Sequence, residues 1–102
     1  MLSLPIRKRW WKMIYDGVKT EEYREIGDYW RTRFFHAGLL DKDGKTAEGA
    51  LADVILANGY GEKAPQLLAR VSLRIGQGNP KWGAEPGKEY YVLLIHGYRR
   101  VR

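Results

Sequence analysis

The spacing of apolar residues in the first quarter of the chain predicts a strand, a helix and a second strand. Residues 2–6 alternate apolar and small side chains, and Pro5 predicts that this strand either lies at the edge of a sheet or ends there. Apolar residues recur at helical spacing over residues 7–16, and Gly17 is suited to end that helix. Residues 19–25 alternate again, which predicts a strand directly after the helix.

The rest of the chain predicts further strands separated by loops rich in glycine and proline. A short helix over residues 28–35, capped by Asp28, comes first. Strand patterns follow over residues 51–57, 66–75 and 89–98. About five strands with one or two helices predict an α+β fold, a small, partly open and mostly antiparallel β-barrel with the helices packed against it.

Composition and charge narrow the class of protein. A length of 102 residues fits a single domain over residues 1–102. Lys and Arg number 18 against 12 Asp and Glu, which favours an anionic partner. The absence of cysteine excludes a disulfide scaffold, a thiolate zinc site and a cysteine nucleophile. No signal-peptide pattern or long apolar run is present, so we expect a cytoplasmic protein that makes no membrane contact, with a monomer favoured.

Positive charge is concentrated around the start of the first predicted helix. Arg7, Lys8, Arg9 and Lys12 lie there with no acidic residue among them. The helix dipole disfavours cations at this end, so helix stability does not explain these residues. Solvation of the surface is the ordinary role of such charges, but their grouping beside aromatic residues favours contacts with phosphate groups. Lys81, in a second acid-free stretch, is predicted to do the same.

Several kinds of catalytic site have no support in the sequence. There is no phosphate-binding P-loop, and His36 and His96 lie far apart with no pattern that would gather them on a metal ion. Ser3 and Ser72 fall in predicted strands without a nucleophile elbow. We therefore predict no metal and no cofactor.

The segment from Gly17 to Arg24 has the densest pattern of chemical groups. Gly17 turns the chain and leaves Lys19 at the mouth of the next strand, while Glu22 and Arg24 point to one side of it. A lysine buried in a cleft loses its proton more readily and can act as a base or nucleophile. Glu22 and Arg24 either pair with each other or bind a polar ligand together. A surface ion pair in an ordinary helix–turn–strand unit explains the same spacing.

The pattern Gly17-x-Lys19-x-x-Glu22-x-Arg24 resembles the G-x-K-x-x-E-x-R signature of the ASCH domain, a β-barrel family related to the PUA domain of RNA-modifying enzymes. The resemblance to small phage- and bacterial-type members extends to Tyr29-Trp30, Arg33-Phe34, Gly59-Tyr60-Gly61 and the segment from Trp82 to Gly87. It implies a positively charged cleft, lined by the signature residues, that binds RNA or nucleosides.

One branch of that family, similar in size to this chain, removes the acetyl group from N4-acetylcytidine with a lysine, a threonine and a later glutamate. Lys19 matches that lysine, Glu22 occupies the position of the threonine, and Thr20 lies two residues too early. Glu85 is the candidate for the later carboxylate. Other members are associated with RNA cleavage.

Three functions remain open at this stage. The first is a binding module for RNA, a nucleoside or a nucleotide, with DNA as a possible partner, in which cations contact phosphates and an aromatic side chain stacks on a base. The second is a hydrolase, either an amidohydrolase on a modified nucleoside or a ribonuclease, with Lys19 as base or nucleophile and Glu22 or Glu85 carrying the proton. The third is a protein-interaction domain.

Aromatic residues decide where a base would stack. The side chains predicted to line the ligand pocket are Thr20, Tyr23, Arg33, Tyr60 and Trp82. Trp82, in a loop rich in glycine and proline, is the best stacking candidate, and a lid over one end of the barrel is the alternative role. Trp10 and Trp30 are predicted to belong to the core.

Overall fold

The computed structural model describes residues 1–102 and contains five strands and two α-helices. The elements in chain order are β1 (Ser3–Ile6), α1 (Lys8–Tyr15), β2 (Glu21–Glu25), α2 (Asp28–His36), β3 (Ala52–Asn58), β4 (Gln66–Gln77) and β5 (Glu89–Arg100). A single 3₁₀ turn at Pro80–Trp82 lies between β4 and β5. The predicted α+β class and the predicted number of elements are confirmed.

The five strands form one curled sheet in the order β1-β3-β4-β5-β2. Three of the four neighbouring pairs are antiparallel, and β1 pairs with β3 in parallel. The two edge strands, β1 and β2, share no ladder, so the sheet is a mixed half-barrel and not a strictly antiparallel barrel. Pro5 lies in an edge strand as predicted, where its missing N–H costs no ladder bond on the open side.

The main core lies between this sheet and the two helices. Trp11 and Ile14 of α1 and Phe34 of α2 are buried against apolar side chains from the sheet. Trp11 Nε1 also donates a hydrogen bond to the Leu56 carbonyl at 2.9 Å, which fixes α1 on β3. Neither helix is long and apolar enough to cross a membrane.

The ends of several elements differ from the predictions. Asp28 is the first residue of α2 and not its cap, since Gly27 precedes it and no side chain caps the helix. The carboxylate still lies in the first turn, where the helix dipole favours negative charge. Strands β4 and β5 both extend beyond their predicted ends because they pair with each other almost throughout. Gly17 ends the turn after α1 with a φ of 76°, a conformation that glycine adopts without strain.

Candidate ligand-binding cleft

The largest cleft lies where the two edge strands of the sheet face each other. It has a volume of about 770 Å³ and is bordered by β1, the start of α1, β2 and α2. Two loops complete it, one at Gly59-Tyr60 and one at Trp82–Glu85. Six aromatic side chains line it: Trp10, Tyr23, Trp30, Tyr60, Trp82 and Tyr90. The open seam of the half-barrel is therefore an aromatic-walled cleft.

A buried group of three charges lies beside this cleft. Lys19 Nζ is 2.8 Å from Glu22 Oε1, and Arg24 Nη1 is 3.2 Å from Glu22 Oε2. Lys19 Nζ also donates to the main-chain oxygen of Glu21. Burial lowers the pKa of Lys19 and the charge of Glu22 opposes this effect. Glu22 and Arg24 thus pair with each other, which is one of the two alternatives that their spacing predicts.

Lys19 itself does not reach the cleft. Its side chain is completely inaccessible, whereas Glu22 and Arg24 both line the cleft wall. The ammonium group lies 4.8 Å from the centroid of the Tyr23 ring and 5.9 Å from that of Trp10. The Glu22–Arg24 pair is therefore the part of this group that faces the cleft, and Lys19 lies behind Glu22.

Arg24 joins the two edges of the sheet. Its guanidinium donates to the Pro5 carbonyl of β1 at 2.8 Å and to the Tyr23 carbonyl of β2 at 2.7 Å. The same group lies 5.1 Å from the centroid of the Trp30 ring. One side chain therefore bridges the seam that main-chain pairing leaves open, and it also forms part of the cleft wall.

Two tyrosine hydroxyls hold the loop that carries Trp82. The Asn79 main-chain N–H donates to the Tyr23 hydroxyl at 2.9 Å, and the Glu85 N–H donates to the Tyr90 hydroxyl at 3.0 Å. Burial raises the pKa of Tyr23, so its hydroxyl keeps its proton. Both ends of the loop are thus fixed, and Trp82 is positioned before any ligand binds.

A glycine makes the first of these contacts possible. A Cβ atom on Gly78 would lie 2.5 Å from the Tyr23 ring and 2.7 Å from the Ala84 side chain. Both neighbours are buried, so neither has free space to move into. Only glycine fits where this loop crosses Tyr23.

A supporting cluster under the loop was not predicted from the sequence. Tyr23 donates to Glu21 Oε1 at 2.8 Å, and Arg74 Nη2 of β4 lies 3.1 Å from Glu21 Oε2. Tyr23 and Arg74 are both in register with Val92 on β5, so the sheet brings them together from distant parts of the chain. Only the pairing of β2, β4 and β5 could have revealed it.

Half of the residues predicted to form the site meet at the cleft. Those that line it are Arg7, Glu22, Tyr23, Arg24, Tyr60, Trp82 and Glu85. Arg7, Tyr60 and Glu85 are exposed at its rim, and none of their side chains has an ion-pair partner. The rim therefore offers both signs of charge and one freely accessible ring. Glu22, Glu25 and Glu85 line the cleft against Arg7 and Arg24, so the prediction of a positively charged cleft does not agree with the structure.

Other predicted residues lie elsewhere. Arg33 is on α2, with its guanidinium 3.4 Å from the Tyr29 ring centroid, and it lines a separate depression with His36. Its assignment to the ligand pocket does not agree with the structure, because the helix turns it away from the seam. Thr20 and Lys81 are exposed but do not line the cleft. Lys8, Arg9 and Lys12 follow the exposed side of α1, where Lys12 pairs with Asp16 at 2.7 Å.

Trp10 and Trp30 are only half-buried and line the cleft as well as packing against the core. Their prediction as core residues is therefore right only in part. Trp10 is one position away from the fully packed Trp11, and helical periodicity does not decide which of two adjacent tryptophans faces the sheet. Tyr90 at the start of β5 was not predicted to line the cleft, because it directly precedes the apolar run of a buried strand.

The remaining chemistry outside the cleft is limited. Ser72 Oγ lies 2.7 Å from His96 Nε2 across β4 and β5, and no carboxylate is hydrogen-bonded to the imidazole. No group of three or more His, Asp or Glu side chains is arranged to hold a metal ion. The cleft is the site with the most converging polar and aromatic groups.

Comparisons with known proteins do not place the chain in a family. No protein-family model, no curated protein and no solved structure matches it. The functional interpretation therefore depends on the geometry of the cleft and on the chemistry of its side chains.

Proposed function

We propose that the chain is an ASCH-type domain that binds RNA or a nucleoside in the aromatic cleft. The observation that carries the proposal is the convergence of six aromatic side chains on one cleft of about 770 Å³ whose wall also holds a paired carboxylate and guanidinium. This volume falls in the range of small-molecule sites, roughly 300–1,000 Å³. Aromatic walls with a few fixed polar groups are the usual means of binding an unstacked base.

Each component of a nucleotide has a suitable partner in the cleft. Trp82 and Tyr60 present rings on which a base can stack, and Trp82 is already fixed by its loop. The carboxylate of Glu22 accepts from an amino or imino group on a base edge, and Arg24 donates to a carbonyl. Arg7 at the rim has no carboxylate partner, which suits it to a phosphate.

Binding fits the geometry better than catalysis by Lys19. A general base needs to come within hydrogen-bond reach of the proton that it removes. Lys19 Nζ is enclosed by Glu22 and by the Glu21 carbonyl, and its side chain has no accessible surface. The amidohydrolase or ribonuclease alternative is instead supported by the carboxylates that line the same cleft, among them the predicted proton carriers Glu22 and Glu85.

The binding proposal is tested by fluorescence anisotropy with labelled single-stranded RNA and DNA of one sequence. Stacking contributes about 1–3 kcal/mol per base, so Trp82→Ala should weaken binding roughly 5- to 150-fold. Phe35→Ala is the matched control, because Phe35 is an exposed aromatic residue of α2 outside the cleft. Equal affinities for the two variants would rule out the cleft as the binding site.

The hydrolase alternative has its own assay. The protein is incubated with N4-acetylcytidine and, separately, with labelled RNA, and Glu85→Gln is compared with the native chain. Glu85 is exposed on a loop, so this substitution leaves the fold intact. Turnover that depends on Glu85 would support the hydrolase, and turnover that survives the substitution would contradict a role for this carboxylate.

A further inference from the structure

A row of cations continues from the cleft along the exposed face of α1. We call Arg7, Lys8, Lys12 and Arg100 the α1 strip. Arg7 lines the cleft, and Lys8 and Lys12 lie one helical turn apart on α1. Arg100, from the end of β5, lies beside the far end of the helix, with Cζ 5.7 Å from the Tyr15 ring centroid. The strip therefore joins two elements that are distant in sequence.

The charges of the α1 strip are largely free. Arg7, Lys8 and Arg100 have no carboxylate partner. Lys12 pairs with Asp16, but both side chains of that pair are well exposed, so solvent screens it. Cations at the start of α1 also oppose the helix dipole. Arg100 Nε donates to the Arg102 carbonyl at 3.0 Å, but no ion pair or side-chain hydrogen bond within the protein accounts for the positions of Arg7 and Lys8.

An aromatic ring lies among these cations. Tyr15 is 39% exposed, and both Lys12 Nζ and Arg100 Cζ approach its ring, at 5.8 and 5.7 Å from the centroid. The Tyr98 hydroxyl donates to the Tyr15 carbonyl at 2.9 Å and holds the end of α1 against β5. Cations interleaved with exposed rings are typical of surfaces that follow a single nucleic-acid strand.

The length of the α1 strip matches several phosphates. The eight residues of α1 span about 12 Å at 1.5 Å per residue. This length is several times the roughly 3.4 Å axial rise per nucleotide of a stacked strand, so the strip is long enough to contact more than one phosphate. A free nucleoside or nucleotide in the cleft would leave most of the strip unused.

We propose that the ligand is a single strand that places one base in the cleft and lays its flanking phosphates along the α1 strip. This inference rests on the proposed function and specifies its ligand class, a polynucleotide and not a free nucleoside. The cleft supplies base contacts and the strip supplies sequence-independent affinity. Strand binding should therefore depend on salt much more steeply than nucleotide binding does.

The experiment compares a nucleoside monophosphate with an eight-nucleotide RNA of the same base across a salt series. The test variant is the double substitution Lys8→Gln and Arg100→Gln. The control is Lys42→Gln with Lys45→Gln, which removes the same charge from two lysines that have no carboxylate partner and lie in the turn after α2. Trp82→Ala is measured in parallel with both ligands.

Each phosphate contact contributes about −0.7 to the slope of log K against log salt for a single strand. The four cations predict a slope near −2.8 for the RNA, and the test variant should reduce its magnitude by about 1.4. The control variant should leave the slope unchanged, and the test variant should leave monophosphate affinity unchanged. A slope that is the same in the test and control variants would overturn the α1 strip.

The two proposals fail in different ways. One outcome is that Trp82→Ala abolishes monophosphate binding while the double substitution in the α1 strip leaves the salt slope for RNA unchanged. This outcome would support the cleft as the base site and reject the α1 strip as the phosphate site. An RNA slope that depends on the strip, with affinities indifferent to Trp82→Ala, would reject the cleft as the base site. Strip-dependent binding of polyglutamate without strip-dependent binding of RNA would reject the strand and indicate an acidic protein partner.

Discussion

Glu22 forms ion pairs with the fully buried Lys19 and the largely buried Arg24, and Glu22→Gln tests this arrangement. The substitution keeps the size of the side chain but leaves the ammonium of Lys19 without a carboxylate partner. Because the Lys19 side chain has no accessible surface, water does not replace the lost charge. Breaking a buried ion pair from one side costs about 3–5 kcal/mol. For a domain of this size, at roughly 4 °C or more per kcal/mol, the Tm should fall by at least about 12 °C.

Lys19→Met provides the matching half of a double-mutant cycle. It removes the buried ammonium, but Glu22 keeps Arg24 as a partner at 3.2 Å. Burial already lowers the pKa of Lys19, so the loss of its charge also removes a desolvation penalty. We expect a smaller cost, about 1–3 kcal/mol from its lost hydrogen bonds. The double variant should be more stable than Glu22→Gln alone, with a coupling of about 1 kcal/mol or more.

Urea titrations at pH 7, followed by tryptophan fluorescence and circular dichroism, measure all three variants. The control is Asp53→Asn, which breaks an exposed pair with Arg70 at 3.0 Å and should not shift the midpoint measurably. Equal midpoints for Glu22→Gln and Asp53→Asn would refute the buried pair. Additive effects of the Lys19 and Glu22 substitutions would show that the two groups do not interact as the structure places them.

Two further predictions concern the contacts around the cleft. Burial raises the pKa of Tyr23, so above pH 10 the unfolded chain loses a proton that the folded protein keeps. In urea titrations, the stability advantage of the native chain over Tyr23→Phe should therefore shrink between pH 9 and 11. A difference that stays constant with pH would argue against a buried hydroxyl. Arg24→Lys should lose the hydrogen bond to the Pro5 carbonyl, which should lower the free energy of unfolding by about 1–3 kcal/mol and speed hydrogen exchange of the β1 amides. Unchanged exchange would mean that Arg24 does not bridge the two edge strands.

The elements of the fold could be predicted because local patterns specify them. Helical spacing places α1, alternation places β2, and Pro5 marks an edge strand. The parallel pairing of β1 with β3 could not be predicted, since it depends on which strand edge the chain reaches after α2. The same holds for Arg74, whose contact with Glu21 is created by register across three strands.

The spacing of Glu22 and Arg24 predicted that the two side chains share one face of β2. The groups that contact this pair, Lys19 and the Pro5 carbonyl, could be identified only from the structure. Whether Lys19 joins Glu22 or points away depends on the turn before β2, which the alternation of the strand does not describe. The sequence predicted three of the six aromatic side chains of the cleft wall, Tyr23, Tyr60 and Trp82. Trp10 and Trp30 were missed because residues that line a seam between two sheet edges carry the same apolar signal as core residues.

Fold and cleft share residues at the seam, and this determines which variants report on function. Arg24 bridges the edge strands and lines the cleft, while Glu22 holds Arg24 and Lys19 and faces the same space. A substitution at either position alters stability and ligand contacts together, so a loss of binding there has two explanations. Trp82 is partly buried against the small cluster of Tyr23, Ala84, Tyr90 and Val92, and Arg100 lies outside both clusters, so neither substitution removes a residue of the main core. Only variants of this second kind separate recognition of a base from the integrity of the half-barrel.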